Sequence, residues 1–158
     1  MPLYLWNQYT KPELAKVAQD IIGDKLSDCG FEVKRENIKD HGFHMNAQSE
    51  NGSFLRFQVR SCRFPAGMRS NYIFTPKSKF TIDNSSYMSV VLFVDEVLPD
   101  LYLIPSRTWE QPNKLFKDYD YGKPGQKSAP EWGIYITRKN LQLLSEFKFE
   151  NILDKLSS

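Results

Sequence analysis

The sequence has few of the residues that build disulfide-linked or zinc-binding domains. Its 158 residues include two cysteines and two histidines. Cys29 and Cys62 have neither the short spacing of a zinc site nor the further pairs of a disulfide framework. We therefore expect two reduced thiols in a cytoplasmic protein.

Long apolar runs are also absent. A transmembrane helix needs about 20 consecutive apolar residues, and no run in the sequence approaches that length. The first residues lack a charged segment followed by an apolar one, so we expect neither a signal peptide nor a membrane partner. No internal repeat is visible. Composition and length fit a single soluble domain over 1–158, with a core at about 10–110 and a loop, strand and helices at about 111–158.

Acidic residues are missing from one continuous tract, Asn51 to Ile82. The tract holds six basic residues, Arg56, Arg60, Arg63, Arg69, Lys77 and Lys79, interleaved with Phe54, Phe57, Phe64, Tyr72, Phe74 and Phe80. A basic tract that carries aromatic side chains suits a phosphate backbone and stacked bases. It is equally typical of a core hairpin with solvated edges. The net charge of +2 does not by itself indicate nucleic-acid binding.

A helix is predicted from about Lys11 to Asp28, where apolar residues recur at helical spacing. Thr10 and Glu13 fit a capping box at its start, and Gly30 stands at its expected end. The segment "FEVKREN" then alternates like a short strand.

Two more strands, "DHGFHMNAQ" and "SFLRFQVRS", are predicted to form a hairpin. A three-residue loop with Gly52 in the left-handed conformation would set residue 44 opposite 58 and 42 opposite 60. This register gives one apolar face. It gathers Asp40, His44 and Asn46 with Arg56, Gln58 and Arg60 on the other face.

The remaining chain alternates irregular and ordered segments. Arg63 to Tyr87 is interrupted by Pro and Gly and predicts a turn or a short helix, whereas "YMSVVLFVD" and "LYLIP" form a second hairpin. Lys117 to Pro130 is expected to be a mobile loop, and a last strand and helices follow. The order predicts an α/β (α+β) domain with a mixed β-sheet flanked by helices.

These segments carry a resemblance to a known superfamily. The helix with an early Glu, the strand "DHGFH", the strand "QVR" and the strand "YLIP" followed by Trp109 resemble the PD-(D/E)XK, or restriction-endonuclease-like, fold. The sequence is similar in particular to small bacterial domains of the DUF4365 type. The resemblance spans roughly Pro12 to Trp109 and implies a restriction-endonuclease-like core and a nuclease site.

Residue by residue, the resemblance implies a catalytic set at Glu13, Asp40, His44, Gln58 and Arg60. In an active enzyme, Glu13, Asp40 and the Gln58 oxygen would bind Mg²⁺ or Mn²⁺, which activates water and holds the phosphate. His44 replaces a metal-binding Asp, and Arg60 replaces the Lys. Imidazole is a poor Mg²⁺ ligand, and arginine cannot act as a base.

Three functions follow from this pattern. We favour a degenerate, non-catalytic nuclease fold that binds DNA or RNA without a cofactor, with Arg56, Arg63, Arg69, Lys77 and Lys79 as further contacts. The alternative is an active Mg²⁺- or Mn²⁺-dependent nuclease. A third is a module that binds a protein partner. Plainer roles compete with these: Glu13 as a helix cap, His44 as an ordinary sheet histidine and Trp109 as a core anchor.

Overall fold

The computed structural model describes residues 6–37, 43–65, 67–94, 97–120 and 129–157. Their helices and strands, in chain order, are α1 (Lys11–Asp28), β1 (Glu32–Asn37), β2 (Phe43–Gln48), β3 (Phe54–Arg63), β4 (Ser70–Pro76), β5 (Ser86–Phe93), β6 (Asp100–Pro105), β7 (Phe116–Tyr119), β8 (Glu131–Thr137) and α2 (Phe149–Ser157). Short 3₁₀ helices occupy Trp6–Gln8, Lys77–Lys79, Ser106–Glu110 and Leu141–Phe147.

The strands form two sheets. The larger sheet has the order β1-β2-β3-β5-β6, in which β3 and β5 are parallel and the other pairs antiparallel. The smaller sheet is antiparallel, with the order β4-β8-β7. The predicted α+β fold with a mixed sheet is therefore confirmed. No helix in the described ranges has both the length and the apolar character to cross a bilayer.

The first helix forms as its sequence predicts. The Thr10 hydroxyl accepts a hydrogen bond from the Glu13 amide at 3.2 Å, and the Glu13 carboxylate accepts one from the Thr10 amide at 2.9 Å. This reciprocal capping box satisfies two amides at the helix start. Gly30, with φ of +92°, follows the last turn.

The predicted hairpin register is confirmed for the described part of β2. The Gly52 amide donates to the Ser49 carbonyl at 3.0 Å, and Gly52 has φ of +90°, which a side chain would disfavour. This turn sets His44 opposite Gln58. Asp40, His41 and residue 42 lie outside the described residues.

One face of the larger sheet packs against both helices. The face was predicted to carry His41, Phe43, Met45, Ala47, Leu55, Phe57 and Val59. The last five of these are buried with Leu14, Ala18, Ile22, Phe149, Ile152 and Leu153. Burial of this face fixes the register, because a slip by one residue would turn these side chains to the opposite face.

The opposite face of the larger sheet is covered by the smaller sheet. Buried residues of β3, β5 and β6 pack there against β4, β8 and Trp109. The larger sheet contributes Cys62, Met88, Val90 and Ile104, and the smaller sheet contributes Ile73, Ile134 and Ile136. Gln58 is only 2% exposed. The polar face predicted from alternation is therefore covered at Gln58, whereas Arg56 on the same face is exposed.

Two segments expected to be irregular contain strands. Ser70–Pro76 forms β4 within the Arg63–Tyr87 segment, and Phe116–Tyr119 forms β7 at the start of the predicted loop. The expected short helix is present in the first segment at Lys77–Lys79. β4 was not predicted because its partner, β8, lies far along the chain. β7 has only four residues and pairs with the strand that follows the predicted loop, so the start of that loop is strand instead. Residues 121–128 of the predicted loop lie outside the described part.

Candidate functional site

A cleft of about 670 Å³ opens where the start of α1 meets the end of β3 and the middle of β4. We call it the cationic cleft. Its lining consists of Lys11, Pro12, Leu14 and Ala15 of α1, residues 59–63 of β3, Met68, and residues 71–74 of β4. Since the three elements are held by separate contacts, the cleft is part of the folded scaffold and does not depend on a loop closing over it.

The described lining of the cleft carries basic side chains and no acidic one. Lys11, Arg60 and Arg63 contribute three cations, and none of the lining residues is acidic. The start of α1 adds partial positive charge through the helix dipole. An anion entering the cleft would meet attraction from all of these groups.

Arg60 is the most deeply placed of the cations. Its Nε is buried and has no hydrogen-bond partner among the described residues. Burial lowers the pKa of the Arg60 guanidinium, because removing a charge from water disfavours the charged form. Arginine nevertheless remains protonated near neutral pH, so the cleft holds a desolvated cation.

Cys62 interacts electrostatically with Arg60. Burial raises the pKa of its thiol to about 12, although the Asn71 hydrogen bond and the charge of Arg60 both favour the thiolate. The thiol is therefore neutral at pH 7 and supplies no counter-charge. Arg63 repeats the pattern, since its Nε is also buried without a hydrogen-bond partner.

Asn71 fixes the position of β4 against the end of β3. Its amide nitrogen donates to the Arg63 carbonyl at 2.7 Å and to the Cys62 sulfur at 3.3 Å. Its side-chain oxygen accepts a hydrogen bond from the Tyr72 amide at 2.8 Å. Asn71 thus holds the two strands that carry the arginines and the aromatic residues of the cleft.

His44 and Gln58 lie together but away from Arg60. They stand opposite each other on β2 and β3 and line a separate cavity of about 70 Å³, with Arg56 and Lys79 at its rim. That volume accommodates water-sized groups but not a nucleotide. Although Gln58 and Arg60 are two residues apart on one strand, they line different cavities.

Of the two predicted carboxylates, only Glu13 lies in the described part of the chain. Glu13 is fully exposed and is engaged in the capping box, where the hydrogen bond from the Thr10 amide is the main cause of its lowered pKa. It lines neither cavity. Asp40 lies outside the described residues. The predicted constellation is thus divided among a helix cap, a small cavity and the cationic cleft.

The described donors do not fit a hard divalent cation. No group of three or more His, Cys, Asp or Glu side chains in the described ranges is placed to hold a metal ion. Of the predicted metal ligands, Glu13 caps the helix and Gln58 offers only a neutral oxygen. Mg²⁺ and Mn²⁺ sites are built mainly from convergent carboxylates, so we derive no metal-dependent step here.

The other predicted nucleic-acid contacts are dispersed. Arg63 lies in the cationic cleft, whereas Arg56 and Lys79 border the small cavity. Arg69 is exposed and lines neither cavity. Lys77 forms an ion pair with Asp118 and lies 4.1 Å from the centre of the Trp132 ring.

Sequence reasoning missed part of the cleft. Lys11 opens α1 and becomes part of the site only when the helix packs beside β3. Tyr72 and Phe74 were visible as aromatics within the basic tract, but their alternation in "NYIFT" was the only signal that they share one strand face. Trp109 is a core anchor: it is 1% exposed, and its indole nitrogen donates to the Gly133 carbonyl at 2.9 Å.

Comparison of the chain with protein-family models, with curated proteins and with solved structures finds no match.

Proposed function

We propose that this protein is a non-catalytic module that binds nucleic acid through the cationic cleft. Lys11, Arg60 and Arg63 would contact the phosphate backbone. The proposal is supported chiefly by one observation: the Arg60 guanidinium is desolvated in an open cleft whose described lining offers no carboxylate.

A phosphate is the anion that best suits these groups. Burying an unpaired cation is unfavourable, and the free energy is recovered when a counter-ion enters with hydrogen-bonding oxygens. A guanidinium binds phosphate through two parallel N–H···O bonds, which are short and charge-assisted. The cleft volume of about 670 Å³ lies within the usual range of ligand sites.

The alternative of an active nuclease has weaker support. The described residues form no group of three or more His, Cys, Asp or Glu side chains that could hold a metal ion, and Arg60 cannot take a proton from water. The resemblance to the PD-(D/E)XK superfamily stays a hypothesis about ancestry. It is compatible with binding, since a site that has lost a carboxylate and kept an arginine favours the phosphate over the metal.

Fluorescence anisotropy with labelled DNA and RNA oligonucleotides tests the proposal. We expect binding in EDTA that weakens steeply with salt, because each neutralised phosphate releases counter-ions. Arg63→Ala should weaken binding and make the salt dependence shallower by about one phosphate contact. Arg69→Ala is the matched control, since Arg69 is exposed and lies outside the cleft.

Two results would count against the proposal. Equal losses for Arg63→Ala and Arg69→Ala would place the contact outside the cleft, and no binding to any oligonucleotide would remove the function altogether. Cleavage in Mn²⁺ that disappears in Glu13→Ala or Asp40→Ala would establish the nuclease instead. Purification with a bound protein and without nucleic-acid affinity would favour a protein partner.

A further inference from the structure

The outer face of the smaller sheet carries four aromatic side chains. These are Tyr72 and Phe74 of β4, Tyr119 of β7 and Tyr135 of β8, and we call them the aromatic face. Phe74, Tyr119 and Tyr135 are 43%, 37% and 40% exposed. Large aromatic side chains are normally buried, so a cluster with this exposure needs an explanation other than core packing.

The inner face of the same sheet already supplies its core. Ile73, Ile134, Ile136 and Phe116 alternate with the aromatic face along the strands and are all less than 5% exposed. The sheet is therefore anchored by its inner side chains. Truncating an outer aromatic side chain therefore leaves the inner core residues in place.

The rings of the aromatic face form one surface. Tyr72 and Phe74 are stacked, with ring centroids 5.8 Å apart and planes inclined by 16°. Tyr119 lies on the other side of Tyr72, with ring centroids 5.9 Å apart. Tyr135 is the register partner of Tyr72 on β8.

Tyr72 is held in place at the centre of this surface. Its hydroxyl donates to a Glu131 carboxylate oxygen at 2.5 Å, and its ring covers the backbone of Gly133. The hydrogen bond engages the Glu131 carboxylate, which is 9% exposed. Asp118, on the adjacent edge strand, is engaged by Lys77. Glu131 and Asp118 therefore each have a hydrogen-bond or ion-pair partner within the protein.

The aromatic face is continuous with the cationic cleft, because Tyr72 and Phe74 line both. A ligand that extends from the cleft along β4 therefore reaches these aromatic residues beside the arginines. A phosphate needs the arginines, and an unpaired base needs a flat apolar ring. The aromatic side chains of β4 supply the contact for the base, directly beside the arginines that contact the phosphate.

We infer that the ligand is single-stranded nucleic acid, with a backbone phosphate in the cationic cleft and successive unpaired bases on Phe74 and the rings beyond it. The inference rests on the proposed function and specifies its substrate class. Sequence-tolerant single-strand binders combine a positive groove with aromatic stacking. A duplex hides the base faces within its own stack, so it could use the cleft but not the aromatic face.

The test compares a labelled single strand with the duplex of the same sequence, as both DNA and RNA, at one salt concentration. We expect the single strand to bind at least about 10-fold more tightly. Phe74→Ala should weaken single-strand binding by about 5- to 100-fold, which corresponds to the loss of one stacked base. Phe74→Leu keeps an apolar side chain without a π-face and should also weaken it. Phe54→Ala is the control, because Phe54 is 46% exposed but lies at the hairpin end of β3, away from the cleft.

The outcomes separate this inference from the proposed function. If Arg63→Ala weakens binding while Phe74→Ala and Phe54→Ala both bind normally, or if duplex and single strand bind equally, the stacking inference is overturned and the phosphate site stands. If no oligonucleotide binds, both are overturned. Circular dichroism and thermal melting of each variant verify that a lost affinity does not come from unfolding.

Discussion

The ring of Tyr72 lies across the backbone of Gly133 on the neighbouring strand. A Cβ atom added to Gly133 would stand 2.1 Å from the Tyr72 hydroxyl oxygen and 2.4 Å from a ring carbon. A side chain at position 133 can therefore be accommodated only if the Tyr72 ring moves. The pair also fixes the centre of the aromatic face.

The first prediction concerns this contact. Gly133→Ala should destabilise the protein by about 1–3 kcal/mol, because the Tyr72 ring must move and its hydrogen bond to Glu131 is disturbed. In a Tyr72→Ala background the same substitution should cost much less, since the space is vacated. Urea denaturation of the four proteins in this double-mutant cycle measures the coupling. Equal costs in both backgrounds would show that Tyr72 is not what excludes a side chain.

The second prediction separates stability from binding at Arg60. Arg60→Met keeps an elongated side chain but removes the unpaired buried cation and its unsatisfied Nε. We expect the ligand-free protein to gain about 1–3 kcal/mol of unfolding free energy, which is the usual cost of an unsatisfied buried polar group. Oligonucleotide affinity should fall in the same variant.

Chemical denaturation and anisotropy, done on one preparation of Arg60→Met, measure both quantities. Arg69→Met is the control and should leave the unfolding free energy within about 0.5 kcal/mol, as surface substitutions do. A destabilised Arg60→Met protein would show that Arg60 contributes to the fold and is not held at a cost for a ligand.

The third prediction concerns the two thiols. Cys29 is exposed, whereas Cys62 is buried with a thiol pKa raised to about 12. Iodoacetamide at pH 8 should therefore modify Cys29 alone in the folded protein and both cysteines in urea. Mass spectrometry of the intact chain counts the adducts. Rapid modification of Cys62 in the folded protein would contradict its burial.

The same thiol predicts a pH dependence of stability. Its folded pKa of about 12 exceeds the ordinary value of 9.0, so its contribution is fully present below pH 9 and is lost as the pH rises toward 12. Cys62→Ala should make the alkaline decline shallower without removing it, because the raised pKa values of Tyr87 and Tyr102 contribute in the same direction, whereas Cys29→Ala should leave the decline unchanged. Thermal melts between pH 8 and pH 11 distinguish the two variants.

The fourth prediction tests the start of α1. Thr10→Ala should cost about 1 kcal/mol of unfolding free energy through loss of the helix cap. The pKa of Glu13 is lowered chiefly by the Thr10 amide, so its stabilising effect is present above pH 4.5 and is lost as the pH falls through the lowered pKa. Glu13→Gln should therefore make the acid limb of the stability curve shallower. If Glu13→Gln instead leaves that limb unchanged, the carboxylate does not act through the cap.

Local signals made much of the main sheet predictable. The capping box and the apolar spacing predicted the bounds of α1, and one turn glycine predicted the register between β2 and β3. β4 and β7 were not predictable in this way. Pro65 and Gly67 precede β4, and its pairing partner lies some sixty residues further along the chain, where no local pattern indicates it.

The site was predictable only in part for the same reason. Alternation correctly placed Gln58 and Arg60 on one strand face. It could not show that the smaller sheet covers Gln58, nor that α1 brings Lys11 beside Arg60. Two residues on the same strand face have different neighbours when the edge of the covering sheet lies between them.

The smaller sheet draws β4 from the middle of the chain and both of its partners from the last third. During synthesis on the ribosome, α1 and the arginines of β3 are made long before β8, the strand that pairs with β4 and supports its aromatic rings. A shortened chain that stops after β6 would likewise leave β4 as an unpaired edge with Ile73 uncovered. Affinity for a single strand would then serve as an assay for completed folding, and it should vanish on C-terminal truncation even where the phosphate-binding arginines are all present.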